Sequence, residues 1–310
     1  MIEADVDVAL RSGVARAYAC RPGNPTEPEL VAGVFAAGIP ELATRLSRSA
    51  PGARLAGVFC HARPMATKLS DPSWKCEVGD LLVVSRYDDG IAVRRSALLL
   101  QVKKPPVKFA HTGKPARQVE LYERWPIVEV FGIPRDVDSR PHRGAQFSFW
   151  DVCGNASSSC TDCKWDQRVP GTTFEQSLAH EIAETMVARG GRPFTDYEQA
   201  ASGGDDWSGL IWDLLKQSLH YAWSVANSRH TGRSRTWDDG VFLVKSSPEI
   251  PKLLADTELG GVARELWRAS STEIPPDLPP LNSDMLEVEQ GGGGIPIMFT
   301  EVPGPIQRSE

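Results

Sequence analysis

The stretch DLLVVSRYDDGIAVRRSALLLQVKK, residues 80–104, decides the fold. Asp80 to Arg86 and Ala97 to Val102 are nearly continuous apolar runs, and Asp88, Asp89 and Gly90 between them form a turn signal. Such runs predict two strands of a sheet covered on both faces, because a half-exposed strand would alternate with polar residues. If the two strands pair through the turn, their far ends meet and Asp80 comes beside Gln101 and Lys103. Side chains alternate along a strand, so Gln101 and Lys103 point to one face while Val102 points to the other.

Working outward, Leu55 to Cys60 (LAGVFC) predicts an earlier strand and Gln146 to Val152 (QFSFWDV) a later one. Thr26 to Arg48 predicts a helix: Thr26 and Glu29 have capping-box spacing, and Leu30, Val31, Val34 and Phe35 recur at helical intervals. Gly38 and Pro40 are expected to interrupt it, with Pro40 in the first turn of a second piece. Pro105 and Pro106 stop the third strand, and Pro115 to Trp125 predicts a second helix. Helix, three strands, helix and strand make an α/β core with a mixed sheet flanked by helices, over residues 1–165. Residues 166–310 are expected to be mostly helical. Phe174, Leu178, Ile182 and Met186 share a face behind a Thr172/Glu175 capping box, and Gly190 and Gly191 close that helix. Trp207 to Trp223 forms a wide apolar stripe that Asp205 caps. Val241 to Val244 predicts a strand, residues 274–283 a Pro-rich linker, and Ile295 to Val302 a last apolar stretch. This region is expected to contact substrate, a protein partner or a second copy of the chain.

The chain has 310 residues, 41% of them hydrophobic and 24% charged, which fits a globular protein with a real core and excludes a disordered one. No run of about 18 apolar residues exists, so no membrane span is expected. The N-terminus carries Glu3, Asp5 and Asp7 where a secretory signal needs basic residues, which points to the cytoplasm. The net charge of -6 excludes indiscriminate coating of nucleic acid. The charge is uneven, however. Arg94, Arg95, Lys103, Lys104, Lys108, Lys114 and Arg117 fall in one window, Ile91 to Val119, with no acid among them. That window is either a solvated basic face or a surface for phosphates.

A carboxylate, an amide oxygen and an ammonium group at one sheet end suit phosphodiester hydrolysis. That reaction needs a hard cation, which takes oxygen ligands and keeps several waters. Asp80 and Gln101 are the candidate ligands for Mg²⁺ or Mn²⁺. Lys103 would hold the attacking water or stabilise charge on the phosphate. Over residues 26–152 the chain resembles the PD-(D/E)xK nuclease superfamily, in the variant where Gln replaces the usual acid, as in Mrr-like restriction enzymes. Gln118-Val-Glu-Leu-Tyr122 is similar to the Gln-x-x-x-Tyr motif that follows the catalytic lysine in RecB-like nucleases. The resemblance implies a restriction-endonuclease-like fold and a Mg²⁺-dependent nuclease acting on DNA, with RNA left open. It assigns Asp80, Gln101 and Lys103 to the centre, and Gln118 and Tyr122 to its rim, beside the basic Lys104 and Arg117. Restriction or anti-phage defence follows by analogy. Two features depart from the pattern: Gly79, not Pro, precedes Asp80, and one carboxylate is missing. Glu77, Glu29 and Glu41 are the candidates to supply it. The rival reading is an interaction protein that kept the nuclease fold without its chemistry.

Two further signals compete. Cys153, Cys160 and Cys163 would form a structural Zn²⁺ site if Cys76, Cys60 or His142 supplied a fourth ligand, but free thiols are the simpler reading. His180 and Glu181 resemble the start of a zinc-protease helix, but Glu184 stands where the second His belongs.

Overall fold

The computed structural model describes residues 1–21, 25–60, 64–103, 113–137, 144–150, 165–167, 177–230, 241–247, 249–255, 257–269 and 294–304. In chain order the elements are α1 (Ile2–Cys20), α2 (Glu27–Gly33), a π turn (Val34–Gly38), α3 (Ile39–Ser49), β1 (Arg54–Cys60), β2 (Met65–Lys68), β3 (Asp71–Glu77), β4 (Leu81–Asp88), β5 (Val93–Lys103), α4 (Gly113–Arg124), β6 (Val128–Val130), β7 (Ile133–Arg135), β8 (Ala145–Trp150), β9 (Trp165–Gln167), α5 (Leu178–Met186), β10 (Arg192–Pro193), α6 (Tyr197–Ala201), α7 (Asp206–His230), β11 (Val241–Lys245), α8 (Lys252–Ala255), α9 (Leu259–Ala269) and β12 (Ile297–Pro303).

The central sheet is mixed, in the order β11-β1-β12-β4-β5-β8-β9, with β10 pairing β5. β4 and β5 form the antiparallel hairpin that their turn predicts, with Leu81 opposite Leu100 and Asp88 opposite Val93. β5 pairs β8 in parallel. The chain order alone suggests that β1 neighbours β4. Instead β12, from the end of the chain, lies between them, antiparallel to β1 and parallel to β4. β11 extends the same sheet beyond β1. A boundary at residues 165–166 therefore runs through one sheet.

Both faces of that sheet are covered, which is why β4 and β5 read as unbroken apolar runs. One face packs on α1, α2, α3 and α5 through Leu98, Leu100, Val102, Leu81 and Val83. The other packs on α4, α7 and α9 through Leu82, Val84, Ala97 and Leu99. A second, four-stranded sheet, β3-β2-β6-β7, lies on this second face. Arg135 of β7 fastens it to α7 by bonding Asp213 and Asp206 across Gly209, where a Cβ would collide with the guanidinium.

The helix from Glu27 to Ser49 is not broken at Gly38 and Pro40. The extra residue is absorbed by the π turn, and Pro40 sits at the start of α3, where its missing N–H costs little. α1, which the sequence does not announce, crosses this helix at close range. A Cβ on Gly33 would overlap the Gly13 carbonyl oxygen, and one on Gly38 would lie 2.8 Å from the Ala9 carbonyl oxygen. The stretch Glu27–Ser49 is apolar and long enough to cross a membrane by composition, but 61% of its most apolar window is buried inside the protein.

This crossing gives a paired test. Gly33→Ala should lower the unfolding free energy by about 1–3 kcal/mol, the usual cost of overpacking. Gly261→Ala meets nothing within 4 Å on α9. It should be neutral or stabilise by about 0.5–1 kcal/mol. Urea denaturation reads both. Equal effects at the two sites would contradict the close approach of α1.

Candidate active site

One step past the Leu81–Leu100 pair, the register sets Asp80 opposite Gln101, and the Asp80 N–H donates to the Leu100 carbonyl at 2.8 Å. Asp80 Oδ2 accepts the Gln101 side-chain amide and, at 2.8 Å, the Val102 N–H. Gln101 is 0% exposed. Its amide turns nitrogen toward Asp80, and its oxygen, also buried, has no hydrogen-bond partner among the described residues. A buried amide oxygen without a donor carries a penalty of about 1–3 kcal/mol. Turned over, the amide would set oxygen against carboxylate oxygen, an arrangement that is stable only with a cation or a proton between them.

Lys103 lies two residues along β5, on the same face as Gln101. Its Nζ is 3.3 Å from Glu27 Oε2, in a pair that is mostly shielded on the lysine side. Glu27 is the acid that the first-helix region brings to the site, and neither Glu29 nor Glu41 is. Glu29 closes the capping box, accepting Thr26 N–H at 2.5 Å and the Thr26 hydroxyl at 2.9 Å, and its other oxygen binds Arg21 at 2.7 Å. Glu41 pairs with Arg45 one turn away. Glu27 and Glu29 flank Pro28, and the capping box consumes Glu29. Glu27, the residue after the Thr26 cap, instead reaches Lys103; its place at the helix start is the signal that points to it.

Glu77 ends β3 three residues before Asp80, half-buried and opposite Met65 in the small sheet. Gln118 and Tyr122 are buried rather than set on an exposed rim. The Tyr122 hydroxyl donates to the Val78 carbonyl at 2.8 Å, and its ring packs on Trp125 and Phe147. Gly79 fits beneath it only because it lacks a side chain: a Cβ would lie 2.7 Å from Leu99 and 3.0 Å from the Tyr122 hydroxyl. Tyr122 thus supports the backbone that delivers Asp80. Burial, then the nearby Asp80 carboxylate, pushes the Tyr122 phenol well above its ordinary value.

Arg117 reaches back to the Lys75 carbonyl at 3.4 Å. Lys104 and Lys108 lie outside the described residues, as do Cys153, Cys160, Cys163, His142, Thr172 and residues 274–283. Among the described residues the basic window does not form one surface. Arg95 and Lys103 are eight residues apart on β5, which at about 3.3 Å per residue separates them by roughly 26 Å. Among the described residues there is no group of three or more His, Cys, Asp or Glu placed to hold a metal. Cys60 and Cys76 are core thiols, both pushed up by burial, Cys76 to about 12. His180 faces Glu3, at 3.1 Å, and Glu184 binds Arg189.

Comparison of the chain with protein-family models, with curated proteins and with solved structures finds no match.

Tyr122→Phe should cost about 1–3 kcal/mol, because the Val78 carbonyl loses its donor. The folded state favours the neutral phenol, so its contribution is complete below about pH 10 and fades as pH rises through the higher folded value. Urea unfolding at neutral and alkaline pH should therefore show a shallower alkaline loss in Tyr122→Phe than in the native chain. An identical pH profile would contradict a buried, bonded phenol.

Proposed function

We propose that the chain is a metal-dependent nuclease with a restriction-endonuclease-like core, hydrolysing DNA phosphodiester bonds at the site of Asp80, Gln101 and Lys103. The observation that carries this reading is the buried Gln101 amide held against the Asp80 carboxylate through its nitrogen, with its own oxygen left without a donor. Two oxygens at adjacent cross-strand positions, one anionic and one neutral, fit a hard cation that retains several waters. Asp80 and Gln101 would hold it, after the Gln101 amide turns its oxygen inward. The chemistry supplied there by Mg²⁺ or Mn²⁺ is polarisation of a phosphoryl oxygen and acidification of a bound water.

The protein's own groups do the rest. Lys103 projects from the same strand face and offers its ammonium to a phosphate oxygen as negative charge builds. Glu27 holds that ammonium at the sheet end and adds a second carboxylate at the site's edge. The Val102 N–H fixes the Asp80 carboxylate, so one lone-pair direction is set before any ligand arrives. Tyr122 and Gly79 hold the strand entry in place. Action in restriction or anti-phage defence rests on the family resemblance alone.

A specific observation also favours the rival reading. Asp80 is already bonded by Gln101 and Val102, and Lys103 by Glu27, so the cluster is largely satisfied from within. An interaction protein that has lost cleavage would look this way.

Incubation with plasmid, linear and single-stranded DNA in Mg²⁺ or Mn²⁺ separates the two. The nuclease reading expects cleavage that EDTA abolishes. It expects loss of about 10²–10³-fold in Asp80→Asn and Lys103→Ala, the range for removing a group that stabilises transition-state charge. His180→Ala should retain full activity. No cleavage of any substrate with either metal, by a folded chain, would overturn it.

A further inference from the structure

The other end of the same sheet face carries a second charged cluster. Strand register places Arg54 of β1 opposite Glu301 of β12, Glu301 opposite Arg86 of β4, and Arg86 opposite Arg95 of β5. Directly paired residues share a face, so the four form one row across four adjacent strands. Three guanidinium groups face one carboxylate.

That carboxylate is engaged elsewhere. Glu301, 7% exposed, accepts the Leu253 N–H at 2.9 Å and makes no ion pair with either arginine among the described residues. The neighbouring acids are similarly committed. Asp88 accepts the Gly90 N–H at 3.1 Å and one Arg86 N–H at 3.0 Å. Asp89 accepts the N–H groups of Ile91 and Ala92, and also binds Arg94. Arg54 pairs with Glu249, which is 64% exposed.

Arg86 is the telling residue. Its side chain is 17% exposed and carries five N–H donors. Among the described residues it makes one hydrogen bond, to Asp88. None of its nitrogens is sealed away without a partner, so the unspent donors open outward. They open on a cleft of about 480 Å³, which Arg54, Lys252, Asp88, Glu301 and Gly304 also line. The like-charged Arg86–Arg95 pair is itself unfavourable, and burial lowers the Arg95 pKa. The cleft's walls are fixed. The Gly304 N–H donates to the Asp88 carbonyl at 2.6 Å, and a Cβ on Gly304 would strike the Asp89 backbone.

We propose that this cleft binds a small ligand through an oxyanion head group, phosphate or carboxylate, gripped by Arg86 with Arg54 and Lys252. Planar guanidinium forks match such groups through paired hydrogen bonds, and a cleft of this volume falls in the ordinary range for small-molecule sites. The site is distinct from Asp80, six residues back along β4, or about 20 Å. It stands whether or not the chain is a nuclease.

Isothermal titration of the full chain with inorganic phosphate, pyrophosphate, adenosine monophosphate and citrate tests it. At least one probe should bind saturably, one per chain. Affinity should be unchanged in Asp80→Asn, fall tenfold or more in Arg86→Gln, fall several-fold in Lys252→Gln, and weaken with added salt. Tighter binding of the phosphate probes or of citrate would support the proposal and assign the head group. Failure of every probe to bind saturably would overturn it, and so would affinity unchanged in both variants. Should Arg86→Gln fail to fold, the exposed Lys252→Gln decides.

Discussion

The structure depends on one register. Leu81 faces Leu100 across the β4–β5 hairpin, and that pairing alone sets Asp80 beside Gln101. A slip of one residue would send every β5 side chain to the opposite face, putting Gln101 among the residues packed on α1 and α5 and Val102 beside Asp80. The apolar residues on both faces forbid the slip, because Leu98, Leu100 and Val102 fill one core and Ala97 and Leu99 the other. Packing that exists for stability thereby fixes a polar pair at its edge.

Around that pair, each layer supplies one constraint. The close crossing of α1 over the Glu27–Ser49 helix sets where the start of α2 lies, and so brings Glu27 to Lys103. The opposite layer sets the entry to β4, through the Tyr122 hydroxyl on Val78 and the narrow space at Gly79. The strands then carry charge at both ends. One end gathers an acid, an amide and an amine, while the other gathers three arginines around a carboxylate that is already engaged.

Local patterns in the sequence carried much of this. The hairpin, its turn and the facing of Gln101 and Lys103 follow from two apolar runs and a period of two. The Thr26 capping box and the Asp205 cap on α7 were also legible, the latter bonding Ser208 at 3.1 Å. What escaped was non-local or weakly patterned. Nothing within residues 297–303 says that they insert between β1 and β4. The strands β2, β6 and β7 are three or four residues long, too short for alternation to register. α1 buries Val6, Leu10 and Val14 beside Ala9, Gly13 and Ala17, so small residues take half of its buried face and blunt the apolar signal. The basic window is continuous in the sequence, which hides the length of β5 between Arg95 and Lys103. Glu27 is masked in the sequence by Glu29, two residues on, whose spacing from Thr26 fits the capping box.

Asp80 and Gln101 are proposed to form a cation site. Mn²⁺ titration followed by electron paramagnetic resonance tests it without any need for substrate. A cation site there should give a single bound Mn²⁺ per chain that Mg²⁺ displaces, lost in Asp80→Asn and weakened in Gln101→Ala. A folded chain that binds no Mn²⁺, or one whose Mn²⁺ survives Asp80→Asn unchanged, would contradict it.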